Sequence, residues 1–165
     1  MLREGKTEMG YFISFIPTEA EEVGNFFDLA PVSSEDVVYD LGSGDGRLVF
    51  SAIEKGAGRA VGVELNPARV QEAREIARKK GLESRVRFVE ADLMDVSLSE
   101  ATLVVTYLFS TASTALKPKF EAELRPGARV VMESFPIHGW KPERIKKLQH
   151  RTFYLYEMPP EMDPM

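Results

Sequence analysis

Cysteine is absent from the 165 residues, tryptophan occurs once and histidine twice. Without cysteine the chain has no disulfide, no thiol nucleophile and no thiolate metal site. His138 and His150 have no cysteine or His–Glu partner at ligand spacing, so no metal is expected. No apolar run approaches the roughly 20 residues of a membrane helix. The mixed-charge start, Met1–Glu8, lacks the apolar centre of a secretion signal. A cytoplasmic monomer without a membrane role is therefore expected. The net charge is −5 and no long basic tract occurs, so stable binding to a nucleic-acid backbone is not expected.

What is present is ordinary for a globular protein: 44% hydrophobic and 28% charged residues. The length suits one domain. Residues 1–10 read as a loosely held segment, 11–157 as the domain, and the Pro- and Met-rich 158–165 as a frayed tail. Thr18-Glu19-Ala20-Glu21 reads as a capping box ahead of a helix striped by Val23, Phe26 and Phe27. Strands are predicted at 36–41, 60–63, 86–89, 103–108 and 128–133, and helices near 46–53, 67–80 and 118–124. Asn66-Pro67 is a helix start, with a cap and a proline at the first position. An antiparallel pair is expected within 145–156, with Thr152–Tyr156 its clearer member. This alternation specifies an α/β domain, a mostly parallel sheet with helices on both faces.

Asp40-Leu41-Gly42-Ser43-Gly44-Asp45-Gly46-Arg47 joins the first strand to its helix. A glycine-rich turn there lets a ligand approach bare backbone at the carboxyl end of the sheet. In a dinucleotide fingerprint the third glycine would fall where Arg47 stands, and Asp40 and Asp45 would oppose a pyrophosphate. No Gly-Lys-Ser/Thr follows, which excludes a Walker A loop. S-adenosylmethionine carries a sulfonium, an ammonium and a carboxylate instead of phosphates. An acidic loop suits its cations, and backbone amides suit its carboxylate. Glu64, at the end of the second strand, is placed to accept both ribose hydroxyls. After the third strand come Glu90-Ala91-Asp92-Leu93. Asp92 either accepts the adenine amino group, with Leu65 and Leu93 packing the ring, or caps a loop.

The Asp40–Arg47 loop, Glu64 and Ala91-Asp92 resemble the successive cofactor motifs of class I, seven-strand methyltransferases. Phe15-Ile16-Pro17-Thr18, Val63–Asn66, Leu116–Lys119, Leu124–Val131 and Gly139-Trp140 are similar to archaeal broad-specificity protein-lysine methyltransferases and their mitochondrial lysine-methylating relatives. The resemblance spans residues 11–157. It implies a Rossmann-like seven-stranded sheet with an antiparallel C-terminal strand. It also implies S-adenosylmethionine as cofactor, no metal, exposed lysines of several proteins as acceptors, and Thr18 helping to enclose the cofactor. A class I methyltransferase acting on a small molecule or RNA is the alternative. After the fourth strand the chain reads Thr106-Tyr107-Leu108-Phe109 where many amino-directed methyltransferases carry Asn-Pro-Pro-Tyr. That difference counts against methylation of adenine or a glutamine amide.

A lysine amine, with a reference pKa of about 10.4, must lose a proton before it attacks. An aromatic channel disfavours the ammonium form. Tyr11, Tyr107, Phe109 and Phe135 are candidates for its walls. Tyr107 and Glu133 are the catalytic candidates, with Glu133 either taking the proton or neutralising a neighbour. Trp140 reads as a packing anchor.

Overall fold

Val37-Val38-Tyr39 opens the central strand of the domain, β1 (Val37–Leu41), whose interior is buried on both faces as parallel strands usually are. The computed structural model describes residues 20–107 and 110–164, with backbone alone for 20–22, 107 and 110–113. Thr18, Tyr11, Phe109 and the segment 1–10 lie outside them.

The remaining strands are β2 (Arg59–Glu64), β3 (Val86–Glu90), β4 (Leu103–Tyr107), β5 (Arg129–Glu133), β6 (Trp140–Lys141), β7 (Arg144–Lys147), β8 (Thr152–Glu157) and β9 (Glu161–Met162). The helices are α1 (Ala20–Leu29), α2 (Arg47–Glu54), α3 (Pro67–Lys79) and α4 (Ser110–Glu123). Seven strands form one sheet in the order β3-β2-β1-β4-β5-β8-β7. The first five run parallel; β8 is antiparallel to β5, and β7 to β8. The expected α/β architecture and its antiparallel end are both present. Strand order reverses direction between β1 and β4, the point where open α/β sheets bind ligands outside their carboxyl ends.

Alternation along the strands sorts the core into two layers. Val38, Val105, Val131 and Phe153 face α1–α3, meeting Phe26, Val49 and Ala73. Tyr39, Leu41, Val104, Val130 and Met132 face the other way, against Leu116 and Phe120 of α4 and against Trp140 and Tyr156. Trp140 is the packing anchor it was expected to be, stacked edge-on with Tyr156 at 5.5 Å between centroids. Its indole Nε1 donates to Glu121 at 3.3 Å. No helix among the described residues is long and apolar enough to cross a membrane.

Two expectations need correction. The fourth helix starts at Ser110, eight residues before Pro118, which sits inside it. Proline is favoured in a first turn, so it reads as a start; here the burial of Leu116 and Phe120 carries the helix through it. Of the segment 158–165, read as a frayed tail, Met158 and β9 instead return to the body. The backbone of Met158 exchanges hydrogen bonds with Gly127 and Ala128, and β9 pairs antiparallel with β6.

Candidate active site

The loop after β1 turns three times through left-handed backbone, at Gly42 (φ 88°), Gly44 (φ 58°) and Gly46 (φ 91°). Side chains other than glycine rarely adopt that region. Gly46 is also crowded, because a Cβ there would stand 2.8 Å from the Phe88 ring of β3. It therefore supplies the close approach of loop to sheet that the third glycine supplies in dinucleotide folds.

The loop is seated on the end of β2. The amides of Gly42 and Ser43 donate to the Val63 carbonyl at 2.8 and 3.0 Å, and Gly46 donates to Ser43. These amides face inward, which leaves fewer loop amides for the carboxylate that backbone amides were expected to hold. The Ser43 hydroxyl is buried without a partner among the described residues and lies over Gly62. A Cβ at Gly62 would meet Ser43 Oγ at 2.6 Å and Phe88 at 2.8 Å. Glycine inside a strand signals such an approach, a signal present in Val61-Gly62-Val63 and not used in reading the sequence. Gly62→Ala is expected to lift the loop and destabilise the fold by about 1–3 kcal/mol. Thermal denaturation checks it: an unchanged melting temperature would remove Gly62 from this role.

Glu64 is the hub. Its Oε1 accepts from the Gly44 amide at 2.8 Å and its Oε2 from the Asn66 amide at 2.9 Å. Each oxygen retains a second lone-pair direction, so the carboxylate is held as a fork able to take two adjacent hydroxyls. The same strand end holds the next segment, since Ala91 N–H donates to the Glu64 carbonyl at 3.1 Å. Asn66 caps α3 through the amides of Ala68 and Arg69, with Pro67 at the first position, as expected.

Asp40 shares the α1–α3 face with Glu64 and is only 3% exposed. Among the described residues no donor reaches its carboxyl. Burial, then the charge of Glu64, then that of Asp45, pushes its pKa up to about 8. Asp45 is engaged by Arg47, whose Nε lies 3.0 Å from Oδ2. The loop is therefore not two bare charges, as the sequence suggested. It is one acid paired with Arg47, one buried carboxyl, and the fork of Glu64 beside them.

Asp92 caps the short 3-10 turn Leu93–Asp95, with Oδ1 accepting from the Met94 amide at 2.9 Å. Its other oxygen makes no hydrogen bond among the described residues. Capping and ligand binding are thus compatible. Leu93 is buried in the α4-side core, whereas Leu65 is half-buried. Farther along, the carboxyl ends of β4 and β5 pair Tyr107 with Glu133, although the side chain of Tyr107 lies outside the described residues. Glu133 is fully buried and ion-paired with Arg151, a partner the sequence reading missed. Phe135 is half-buried just beyond. The following segment is pinned by Tyr156, whose hydroxyl accepts from the Ile137 amide at 2.9 Å; burial pushes that phenol up to about 12.

The ANTKMT methyltransferase domain family matches residues 40–144, from the end of β1 into β7. The chain belongs to this methyltransferase family. A protein-lysine N-methyltransferase from Saccharolobus islandicus is 40% identical over 149 residues, covering 87% of this chain and 92% of the relative. The adenine nucleotide translocase lysine N-methyltransferase of Mus musculus is 38% identical over 81% of this chain, which spans 58% of that longer protein. Among solved structures, an RNA methyltransferase from Salinibacter ruber in complex with S-adenosylhomocysteine superposes with a TM-score of 0.85 at 37% identity. That superposition covers 91% of this methyltransferase and 98% of the other.

Proposed function

We propose that this methyltransferase transfers the methyl group of S-adenosylmethionine to exposed lysines of basic proteins, acting as a cytoplasmic monomer of broad specificity. One observation carries the cofactor assignment: Glu64 is fixed through both oxygens by backbone amides, yet keeps an open acceptor direction on each. In this reading the fork holds the ribose diol. Asp40 faces the cationic part of the cofactor, and Gly42, Ser43, Gly44, Asp45 and Arg47 form the wall it lies against. Asp92 takes the adenine amino group with its free oxygen, while Leu65, Ala91 and Leu93 border the ring. Thr18, outside the described residues, closes over it.

The cofactor supplies an electrophilic methyl carbon. The lysine nitrogen, having lost a proton to solvent, forms the new N–C bond as the S–C bond breaks and its electron pair stays on sulfur. Such an in-line displacement needs alignment above all. Tyr107 and Glu133, at the carboxyl ends of β4 and β5, border the acceptor side.

The lysine acceptor rests on the relatives' names, which agree with a site walled by buried carboxylates. The Salinibacter ruber structure, described as an RNA methyltransferase, favours a second reading with an RNA acceptor. Incubating the protein with methyl-labelled cofactor and mixed basic proteins and RNA separates the two. Label is expected in protein, on lysine after hydrolysis, across several unrelated sequences. Label confined to RNA overturns the lysine reading, and label on one protein alone overturns broad specificity.

A further inference from the structure

The fully buried Glu133 makes an ion pair through Oε2 with Nη1 of Arg151, which precedes β8. Its other oxygen, Oε1, is buried with no hydrogen-bond partner among the described residues. Leaving a buried carboxylate oxygen unsatisfied is costly, and native folds seldom do so without a ligand or ordered water to complete it. The position of this oxygen is also unusually well determined. The backbone of Ser134 turns into the left-handed region (φ 77°) immediately after Glu133. Its amide donates to the Thr152 carbonyl at 2.7 Å, next to Arg151. Phe153, the register partner of Glu133, is wedged edge-on against Phe26 of α1 at 5.1 Å. Non-glycine residues held at positive φ cluster at functional sites. Here the turn and the ion pair both fix one carboxylate at the carboxyl edge of the sheet, on the face shared with Asp40 and Glu64.

We propose that Arg151 is a positioning residue: by holding Glu133 through Oε2 it presents Oε1 as the hydrogen-bond acceptor for the ammonium group of the incoming lysine. This rests on the lysine reading above. Glu133, held by the guanidinium of Arg151, anchors the side chain and aims its nitrogen, and the proton released before attack passes to water. No covalent step is added to the displacement already described.

The test uses the full chain with S-adenosylmethionine and a lysine-bearing protein that the wild type methylates. Arg151→Ala and Glu133→Gln are each expected to raise KM for that protein about tenfold or more, the range of a hydrogen bond to a charged group. The dissociation constant for S-adenosylhomocysteine should stay within about twofold of wild type, as the fork at Glu64 is untouched. Arg151→Lys, which keeps a positive charge able to reach Oε2, should recover most of the loss. A parallel fall in S-adenosylhomocysteine affinity or failure of lysine to rescue marks a merely structural pair and overturns the proposal. Unchanged KM in both Arg151→Ala and Glu133→Gln means that Oε1 holds only water, and overturns it equally. A wild type that transfers to no lysine at all overturns the functional reading itself, a result visible before any variant is made.

Discussion

Replacing Glu64 with alanine is expected to weaken binding of S-adenosylmethionine and S-adenosylhomocysteine by about a hundredfold or more. Two hydroxyls donating to a carboxylate contribute about 1.5–3 kcal/mol each, and both acceptors vanish with the side chain. The loss is not confined to the ligand. The amides of Gly44 and Asn66 lose their acceptors as well, and each unsatisfied donor costs about 1–3 kcal/mol when kept from water. The variant should therefore melt lower even without ligand. Glu64→Gln, which keeps one acceptor oxygen, should fall between. Titration calorimetry with S-adenosylhomocysteine and a thermal melt of the same samples check both halves. Binding by Glu64→Ala within about threefold of wild type would remove the fork from the cofactor site.

Cofactor uptake near neutral pH is expected to release close to one proton. With its pKa pushed up to about 8 by burial and by Glu64 and Asp45, the Asp40 carboxyl is mostly neutral at pH 7 in the free protein. A sulfonium and an ammonium nearby favour the ionised form, so binding and deprotonation are linked. Affinity should rise with pH, at most about tenfold per unit, and level off above about pH 8. Stability of the free protein follows the opposite course. The folded state holds this proton over a range where the unfolded chain, with an ordinary aspartate value of 3.8, has lost it. Stability from this group is thus greatest below the unfolded pKa and declines as pH climbs toward 8. Asp40→Asn should abolish the pH dependence of binding and bind more weakly than wild type at about pH 8.5, where the native carboxyl is ionised. Calorimetry in buffers of different ionisation enthalpy reads the proton directly; a count near zero at pH 7 would refute the linkage.

Much of the fold could be read from local pattern. The apolar runs that became β1, β2 and β5 are continuous because both faces are covered, and Asn66-Pro67 announces α3 by a cap that acts within one turn. The residues proposed for the cofactor side have the same local character, as they fall in one loop and at two adjacent strand ends. What escaped reading depends on long-range contact. Strands β6 and β9 have two residues each, too short for any periodicity, and exist because each finds the other. The start of α4 hides behind Pro118, whose local preference is overruled by the burial of Leu116 and Phe120. Arg151 reaches Glu133 across 18 positions, through a hairpin turn that no spacing rule encodes.

The separation of the core into two layers has a consequence for how this domain tolerates change. Asp40, Glu64 and Glu133 belong to the layer packed by α1–α3, while the α4 layer of Leu41, Val104, Met132, Phe120 and Tyr156 contains none of them. In a saturation-mutagenesis survey, substitutions beneath α4, away from Ala91 and Leu93, should shift heat resistance while turnover by the surviving folded fraction stays near normal. Substitutions on the opposite layer should alter both at once. Lineages could then drift in thermal tolerance through one half of the core while their chemistry is conserved by the other.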